Sequence, residues 1–270
     1  MGGRSVAEAP VLVTGASSGI GRAVTFALAR RGARLAIAAR RRAALEEIAD
    51  QIEDAGLVRP HVIEADLSRP GAAAELARNA ISALGTVRIL INNAGVGLVA
   101  AQCATGDDDR ARALFETNLW SPLALTRHLY PALHSGGGLV VNVTSTLRAV
   151  PIPLLGYYGA SKAALAHLTL TLRHELRGTG VSVLEIVPGA TDTAARDIDL
   201  LPWRAGPMRT PPPVSPESAA RAIVKAIELG ERRRSHPVTS LLPLEIPALG
   251  RLIARIVTRR VDTDPARPAA

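Results

Sequence analysis

Short, nearly unbroken apolar runs alternate with longer segments of helical periodicity along most of this 270-residue chain. That alternation limits the possible folds more than any other feature. Residues 10–14, 34–38, 61–65, 87–91, 139–143 and 181–187 read as strands. Their apolar character is continuous rather than alternating, as expected for strands covered on both faces. Between them the spacing predicts helices over 20–31, 42–55, 71–84, 107–134, 157–177 and 216–229. Gly32 closes the first helix, and Leu45, Ile48, Ala49 and Ile52 share one face of the second. The long 107–134 segment would be disturbed, if anywhere, at Pro122. Strands and helices in strict alternation predict an α/β fold: a Rossmann-type, doubly wound parallel sheet with helices on both faces, in a single domain. Aromatics are only 3% of the residues, so Ala, Val, Leu and Ile must fill the core.

Residues 1–9 read as a short N-terminal tail and 10–240 as the folded domain. Within that domain, 194–216 is proline-rich and aperiodic and reads as a substrate flap. It carries Ile198, Leu200, Leu201, Trp203 and Met208, which suggest an apolar carbonyl or alcohol as the small-molecule substrate. Residues 241–270 form an amphipathic basic tail, with Leu249, Leu252, Ile253, Ile256 and Val257 at helical spacing and Arg251, Arg255 and Arg259 on another face. Packing on its own domain or on a second subunit is favoured for this tail over peripheral contact with an anionic membrane.

Several function classes fall away. The lone Cys103 cannot form an internal disulfide, and neither cysteine clusters nor paired histidines suggest a metal site. The net charge of +8 comes without zinc-finger spacing or basic–aromatic interleaving, so no nucleic-acid partner is expected. The N-terminus lacks a signal-peptide core and no apolar run reaches membrane-spanning length, so a cytoplasmic protein is expected.

Residues Thr14 to Gly21 join the first strand to the first helix as Thr-Gly-Ala-Ser-Ser-Gly-Ile-Gly. A nucleotide pyrophosphate would sit at such a junction: glycines let the backbone approach it, and the helix N-terminus favours its negative charge. Tyr158 and Lys162 are four apart and project from one helix face. A free tyrosine titrates near about 10, and a neighbouring ammonium stabilises the phenolate. Tyr157 competes on composition, but only Tyr158 has a lysine at that spacing.

The glycine spacing, Gly-x-x-x-Gly-x-Gly, resembles the classical short-chain dehydrogenase/reductase (SDR) family, and further matches follow in order. They are Asn92-Asn93-Ala94-Gly95, Ser145 thirteen residues before Tyr158, Tyr158-Gly159-Ala160-Ser161-Lys162, and Pro188-Gly189 followed by Thr193. The resemblance spans roughly residues 10 to 230. It implies hydride transfer between a nicotinamide cofactor and a carbonyl or secondary alcohol. Tyr158 would be the general acid/base, Lys162 its electrostatic partner, Ser145 the group that orients the substrate oxygen, and Asn118 the support of a water-linked proton relay. It also implies cofactor contacts from Gly15, Ser17, Ser18, Gly19, Ile20 and Gly21, from Asp66 and Leu67 on the adenine side, and from Asn93, Ala94 and Gly95. Tyr158, Lys162, Pro188, Gly189, Thr191 and Thr193 complete that set.

The acidic residue that selects NAD(H) after the second strand is absent; Ala39 is followed by Arg40, Arg41 and Arg42. Arginine there can pair with a ribose 2′-phosphate, which favours NADP(H) over NAD(H), with Arg40 first and Arg41 second. Asp66 with Ser68 could equally shape a turn. Three departures stand out: Leu147-Arg148 replaces a common Ala-Gly, Ser121 replaces a frequent glycine, and a glycine-rich C-terminal strand ending is missing. Arg148 is expected to turn to solvent. The resemblance implies a homodimer or tetramer, with the missing strand ending counting against the tetramer. The alternative function is an NADP(H)-binding sensor or scaffold with little turnover.

Overall fold

The computed structural model describes residues 4–192, 197–204, 206 and 212–264. Among the described residues seven strands form one parallel sheet: β1 (Pro10–Thr14), β2 (Arg34–Ala39), β3 (His61–Glu64), β4 (Ile89–Asn92), β5 (Leu139–Val143), β6 (Ser182–Pro188) and β7 (Arg233–His236). Their order is β3-β2-β1-β4-β5-β6-β7. The chain winds outward from β1 in one direction to β3, then returns to add β4 on the other side. That reversal opens a crevice at the carboxyl ends of β1 and β4.

Period-two geometry explains how one sheet serves two cores. Val11 and Val13 of β1, Leu35 and Ile37 of β2 and Ile89 and Ile91 of β4 face one side. There they meet α1 (Gly19–Ala29), α2 (Arg42–Asp54) and α8 (Pro216–Glu228). Leu12, Ala36, Ala38 and Leu90 face the other, against α3 (Ala72–Leu84) and α6 (Ser121–Ser135). The register Leu12↔Leu90 and Val13↔Ile37 keeps the two sets apart.

Three segments carry more structure than their sequence signals. The 107–134 segment is one unbroken helical run over residues 109–135, widened once along its length. It is α5 (Asp109–Phe115), a π-turn over Glu116–Trp120, and α6; the short α4 (Gln102–Thr105) precedes them. Pro122 does not end the run: the backbone stays helical through Trp120 and Ser121, and the π-turn lies directly before the proline, whose ring crowds the carbonyl four residues back and whose missing N–H interrupts the ladder. The basic run at 232–234 enters β7, a strand the apolar pattern could not reveal. An edge strand needs little apolar surface and tolerates arginine; here Arg233 pairs with Glu245 and Arg234 with Glu231. Finally, within the N-terminal tail Val6 is buried and the Arg4 amide donates to the Glu228 carbonyl at 2.9 Å.

After β7 come α9 (Leu242–Glu245) and α10 (Pro247–Thr258). One face of α10, with Ile253 and Val257, packs in a cluster with Val150, Ile152, Leu155, Leu201 and Trp203. Leu252 and Ile256 are exposed. Among the described residues no helix is long and apolar enough to cross a membrane.

Candidate active site

The glycine loop is stitched to the end of β4. Thr14 Oγ1 accepts from the backbone amides of Asn93 and Ala94 at 3.1 and 3.0 Å. Asn93 Nδ2 donates back to the carbonyls of Thr14 and Gly15 at 2.9 and 3.2 Å. Gly15 has φ +65°, and a Cβ there would lie 2.8 Å from Ala94 Cα. A Cβ at Gly21 would overlap the Gly15 carbonyl oxygen and Asn93 Nδ2. Gly21 therefore lies beneath the loop as a packing glycine. Ser18 is the N-cap of α1, yet its hydroxyl makes no capping bond. It does not compete for the first amides of α1, the groups that favour an anion.

A cleft of about 490 Å³ opens beyond this loop, at the crevice between β1 and β4. Gly15, Ser17, Ser18, Gly19 and Ile20 line it from the loop. Arg40 and Arg41 line it from the end of β2, Asp66 and Leu67 from the end of β3, and Asn93, Ala94 and Gly95 from the end of β4. Ala38, Ala39, Ala65, Val96, Gly97 and Thr117 also line it and were not singled out from sequence. Their signal was positional: each lies within two residues of an expected one, mostly at a strand's carboxyl end. A cleft lined by glycines and alanines together with two arginines and an aspartate, at this point of the sheet, fits a dinucleotide.

Of the three arginines, Arg42 turns away to Glu46 at 2.7 Å. Arg40 and Arg41 stay at the cleft, where Arg41 Nη2 donates to Ser17 Oγ at 3.2 Å. Asp66 Oδ1 accepts from the amide and hydroxyl of Ser68 at 3.1 and 2.7 Å. Burial pushes the Asp66 pKa up, but the Ser68 bonds and the charges of Arg40 and Arg69 together hold it below the ordinary value. The same side chain thus shapes its turn and borders the cleft. Pro188, Gly189 and Thr191 do not line this cleft: Gly189 packs against Ser240, and Thr191 bridges to Val214. Thr193, Ala194 and Met208 lie outside the described residues.

Beyond the cleft, α7 (Gly156–Glu175) carries Tyr158 and Lys162 one turn apart. Lys162 is buried, and its ammonium donates to the Val143 carbonyl at the end of β5 at 2.9 Å. Burial lowers its pKa to about 8. Nζ lies 5.9 Å from the centre of the half-buried Tyr158 ring. Tyr157 is occupied elsewhere, its hydroxyl donating to the Gly106 carbonyl at 2.6 Å.

Asn118 rides on the π-turn, a helix irregularity frequent at functional sites, and is fully buried. Its Oδ1 accepts from the Val96 amide at 2.9 Å, and Nδ2 donates to the Val96 carbonyl and to Ser161 Oγ at 2.9 and 3.0 Å. A Cβ on Gly95 would come within 3.2 Å of Lys162 Nζ and 3.4 Å of Asn118 Oδ1. These three residues therefore meet at one point. Ser145 lies two residues past Val143, in extended conformation, and its Oγ accepts from the Leu147 amide at 3.1 Å.

Two departures from the expected pattern acquire partners. Ser121 Oγ donates to the Leu67 carbonyl at 2.8 Å, tying α6 to the cleft wall. Arg148 does not turn to solvent: its side chain is 19% exposed and its Nη2 lies 3.3 Å from Glu185 Oε1 on β6. A buried carboxylate across the sheet, invisible to local sequence pattern, draws it inward.

The chain matches the short chain dehydrogenase family over residues 9–199. A sesame protein named 11-beta-hydroxysteroid dehydrogenase A is 33% identical over 242 residues, 86% of this chain and 69% of that protein. Arabidopsis 11-beta-hydroxysteroid dehydrogenase 1A is 36% identical over 179 residues, and the match covers 66% of this chain but only 51% of that relative. A short-chain dehydrogenase from Sphingobium yanoikuyae in complex with NADPH superposes with a TM-score of 0.75 at 26% identity, covering 95% of this chain and 98% of that one. One from Burkholderia phymatum in complex with NAD reaches 0.78 at 25% identity, covering 98% and 100%. Sheet order, glycine loop and sequence match agree: this chain belongs to the short-chain dehydrogenase/reductase family, a family of oxidoreductases.

Proposed function

We propose that the chain interconverts a carbonyl and a secondary alcohol with NADP(H), with Tyr158 as the general acid/base. The observation that carries this reading is the buried Lys162 ammonium. It is held on the Val143 carbonyl, 5.9 Å from the Tyr158 ring, at the junction with Gly95 and Asn118. An ammonium so placed favours the phenolate form of its neighbour, as a proton carrier at neutral pH requires. Ser145, at the end of β5, would hold the substrate oxygen. Asn118 and Lys162 would support the return of the proton to solvent. The cleft residues would bind the dinucleotide, which when bound supplies or accepts the hydride.

NADP(H) is preferred over NAD(H) in this reading because two arginines and no carboxylate follow β2 at the cleft. The NADPH-bound and NAD-bound relatives show that the fold accepts either, so the preference rests on Arg40 and Arg41. The hydroxysteroid names of the plant relatives and the apolar cluster beside the Ser145 turn support an apolar substrate. The test is a panel of cyclohexanone, acetophenone and a ketosteroid with NADPH, followed by cofactor absorbance, alongside NADPH and NADH binding by fluorescence. Turnover of at least one ketone is expected, with tighter NADPH than NADH binding. The preference should collapse by about tenfold or more in Arg40→Ala, the loss expected for a charge-assisted phosphate contact. Tight NADPH binding with no turnover of any panel member would favour a sensor instead.

A further inference from the structure

The turn that carries Ser145 is closed at both ends by one buried carboxylate. Thr144, the residue before Ser145, anchors the start: its amide donates to the Ile186 carbonyl at 2.8 Å, and its hydroxyl oxygen lies 3.0 Å from that carbonyl. The same hydroxyl lies 2.9 Å from Glu185 Oε1, to which it donates. Arg148, the last residue of the turn Thr146–Arg148, reaches that same oxygen with Nη2 at 3.3 Å. Glu185 is 6% exposed and Arg148 Nε is buried without an acceptor. Arg173 from α7 adds a further positive charge near Glu185. Ser145 bonds locally within this loop: Oγ accepts from the Leu147 amide at 3.1 Å, and its carbonyl accepts from the Arg148 amide at 3.3 Å.

We propose that Glu185 is a positioning residue for Ser145, fixing the turn by holding Thr144 and Arg148 on one oxygen. A buried charge is costly unless paired and hydrogen-bonded, and this one gains its partners from the two ends of the five-residue segment centred next to Ser145. With Glu185 removed, the Arg148 guanidinium has no acceptor there and leaves for solvent. The end of the turn goes with it, and the Ser145 hydroxyl loses its fixed direction. The proposal rests on the reading of Ser145 as the group that holds the substrate oxygen.

The test compares Glu185→Leu, which removes the acceptor, with Glu185→Gln, whose amide oxygen can still accept from both Thr144 and Arg148. Arg148→Met cuts the turn's end alone and keeps the carboxylate, should Glu185→Leu fold poorly. In Glu185→Leu and Arg148→Met, kcat with the best ketone of the panel should fall by about tenfold or more, as for a misplaced catalytic group. KM for NADPH should stay within about twofold, because no cleft contact changes. Glu185→Gln should recover most of kcat. Hydrogen exchange on the protein alone gives a second readout. The amides of Leu147, Arg148 and Ala149 should exchange about tenfold faster in Glu185→Leu and Arg148→Met, while β5 stays protected. Equal loss in Glu185→Gln and Glu185→Leu, or unchanged exchange in both disrupting variants, would overturn the clamp. If the wild type turns over no ketone, the functional reading fails by itself, and the exchange pattern alone decides whether Glu185 holds the turn.

Discussion

The two halves of the site are built from different materials. The cofactor side is packed tightly around backbone: Gly15 and Gly21 leave no room for a Cβ, and the side chains of Thr14 and Asn93 each bond the other's backbone between the ends of β1 and β4. The side beyond Ser145 is side chain against side chain, drawn from segments far apart in sequence. Val150, Ile152 and Leu155 meet Leu201 and Trp203, and Val257 and Val261 close over them. The Arg204 amide donates to the Arg260 carbonyl at 2.8 Å, and the Asp262 amide to Pro202 at 2.8 Å, so the end of the chain is strapped to the segment around Trp203. A site packed around backbone tolerates almost no substitution and is readable as a motif. A wall of interchangeable apolar side chains tolerates many and leaves no motif.

Breaking the loop side should have the largest effect on cofactor binding. In Gly21→Val the added atoms meet the Gly15 carbonyl and Asn93, and the loop must shift. Overpacking of this kind costs about 1–3 kcal/mol, which taken from the binding geometry is about a ten- to hundredfold loss of NADPH affinity by fluorescence titration. Unchanged affinity would mean that the loop is looser than its contacts suggest.

Lys162 sharpens the comparison because it lies between the two sides. Its folded pKa of about 8 is below its model-peptide value of 10.5. Between those limits the unfolded chain binds more protons than the folded one, so stability from this group rises with pH across that window. Below pH 8 its burial penalty is fully present. Lys162→Met should therefore be more stable than wild type at pH 7, on the order of 2 kcal/mol after allowing for the lost Val143 bond. Thermal denaturation at pH 7 and pH 10 checks this: the advantage of the variant should shrink at the higher pH while its turnover is lost at both.

The side-chain-built wall should give the mildest response. Trp203 is half-buried, and its Nε1 donates to the Ile198 carbonyl at 3.2 Å. Trp203→Ala should raise ketone KM several-fold, about 1 kcal/mol of apolar contact, and leave NADPH binding unchanged. An equal effect on both ligands would dissolve the distinction between the two sides.

The same distinction explains what was legible beforehand. The parallel sheet and the cofactor loop were readable because continuous apolar runs and glycine spacing are local signals. So was the Tyr158–Lys162 pair, which one helical turn fixes. The partition between Tyr157 and Tyr158 rests on the lysine spacing; the Tyr157 hydroxyl donates to the Gly106 carbonyl, a partner that no local pattern announces. What stayed hidden depends on partners distant in sequence. β7 is defined by pairing with β6, not by its own Arg-Arg-Ser-His composition. The π-turn under Asn118 has one local cue, Pro122 four residues on, and a proline there does not say whether a helix kinks, ends or widens. Arg148 was expected in solvent because nothing near it in sequence is acidic; Glu185 is thirty-seven positions away and becomes its neighbour only when β5 and β6 pair.

The central claim is that Tyr158 moves the proton while the rest of the site binds and orients. The most direct test is Tyr158→Phe, with NADPH affinity and ketone turnover measured on the same preparation. The account predicts that turnover falls by about 10²–10⁴-fold, the usual contribution of a positioned acid/base group, with NADPH affinity kept within a few-fold. Turnover close to wild type in that variant would contradict it.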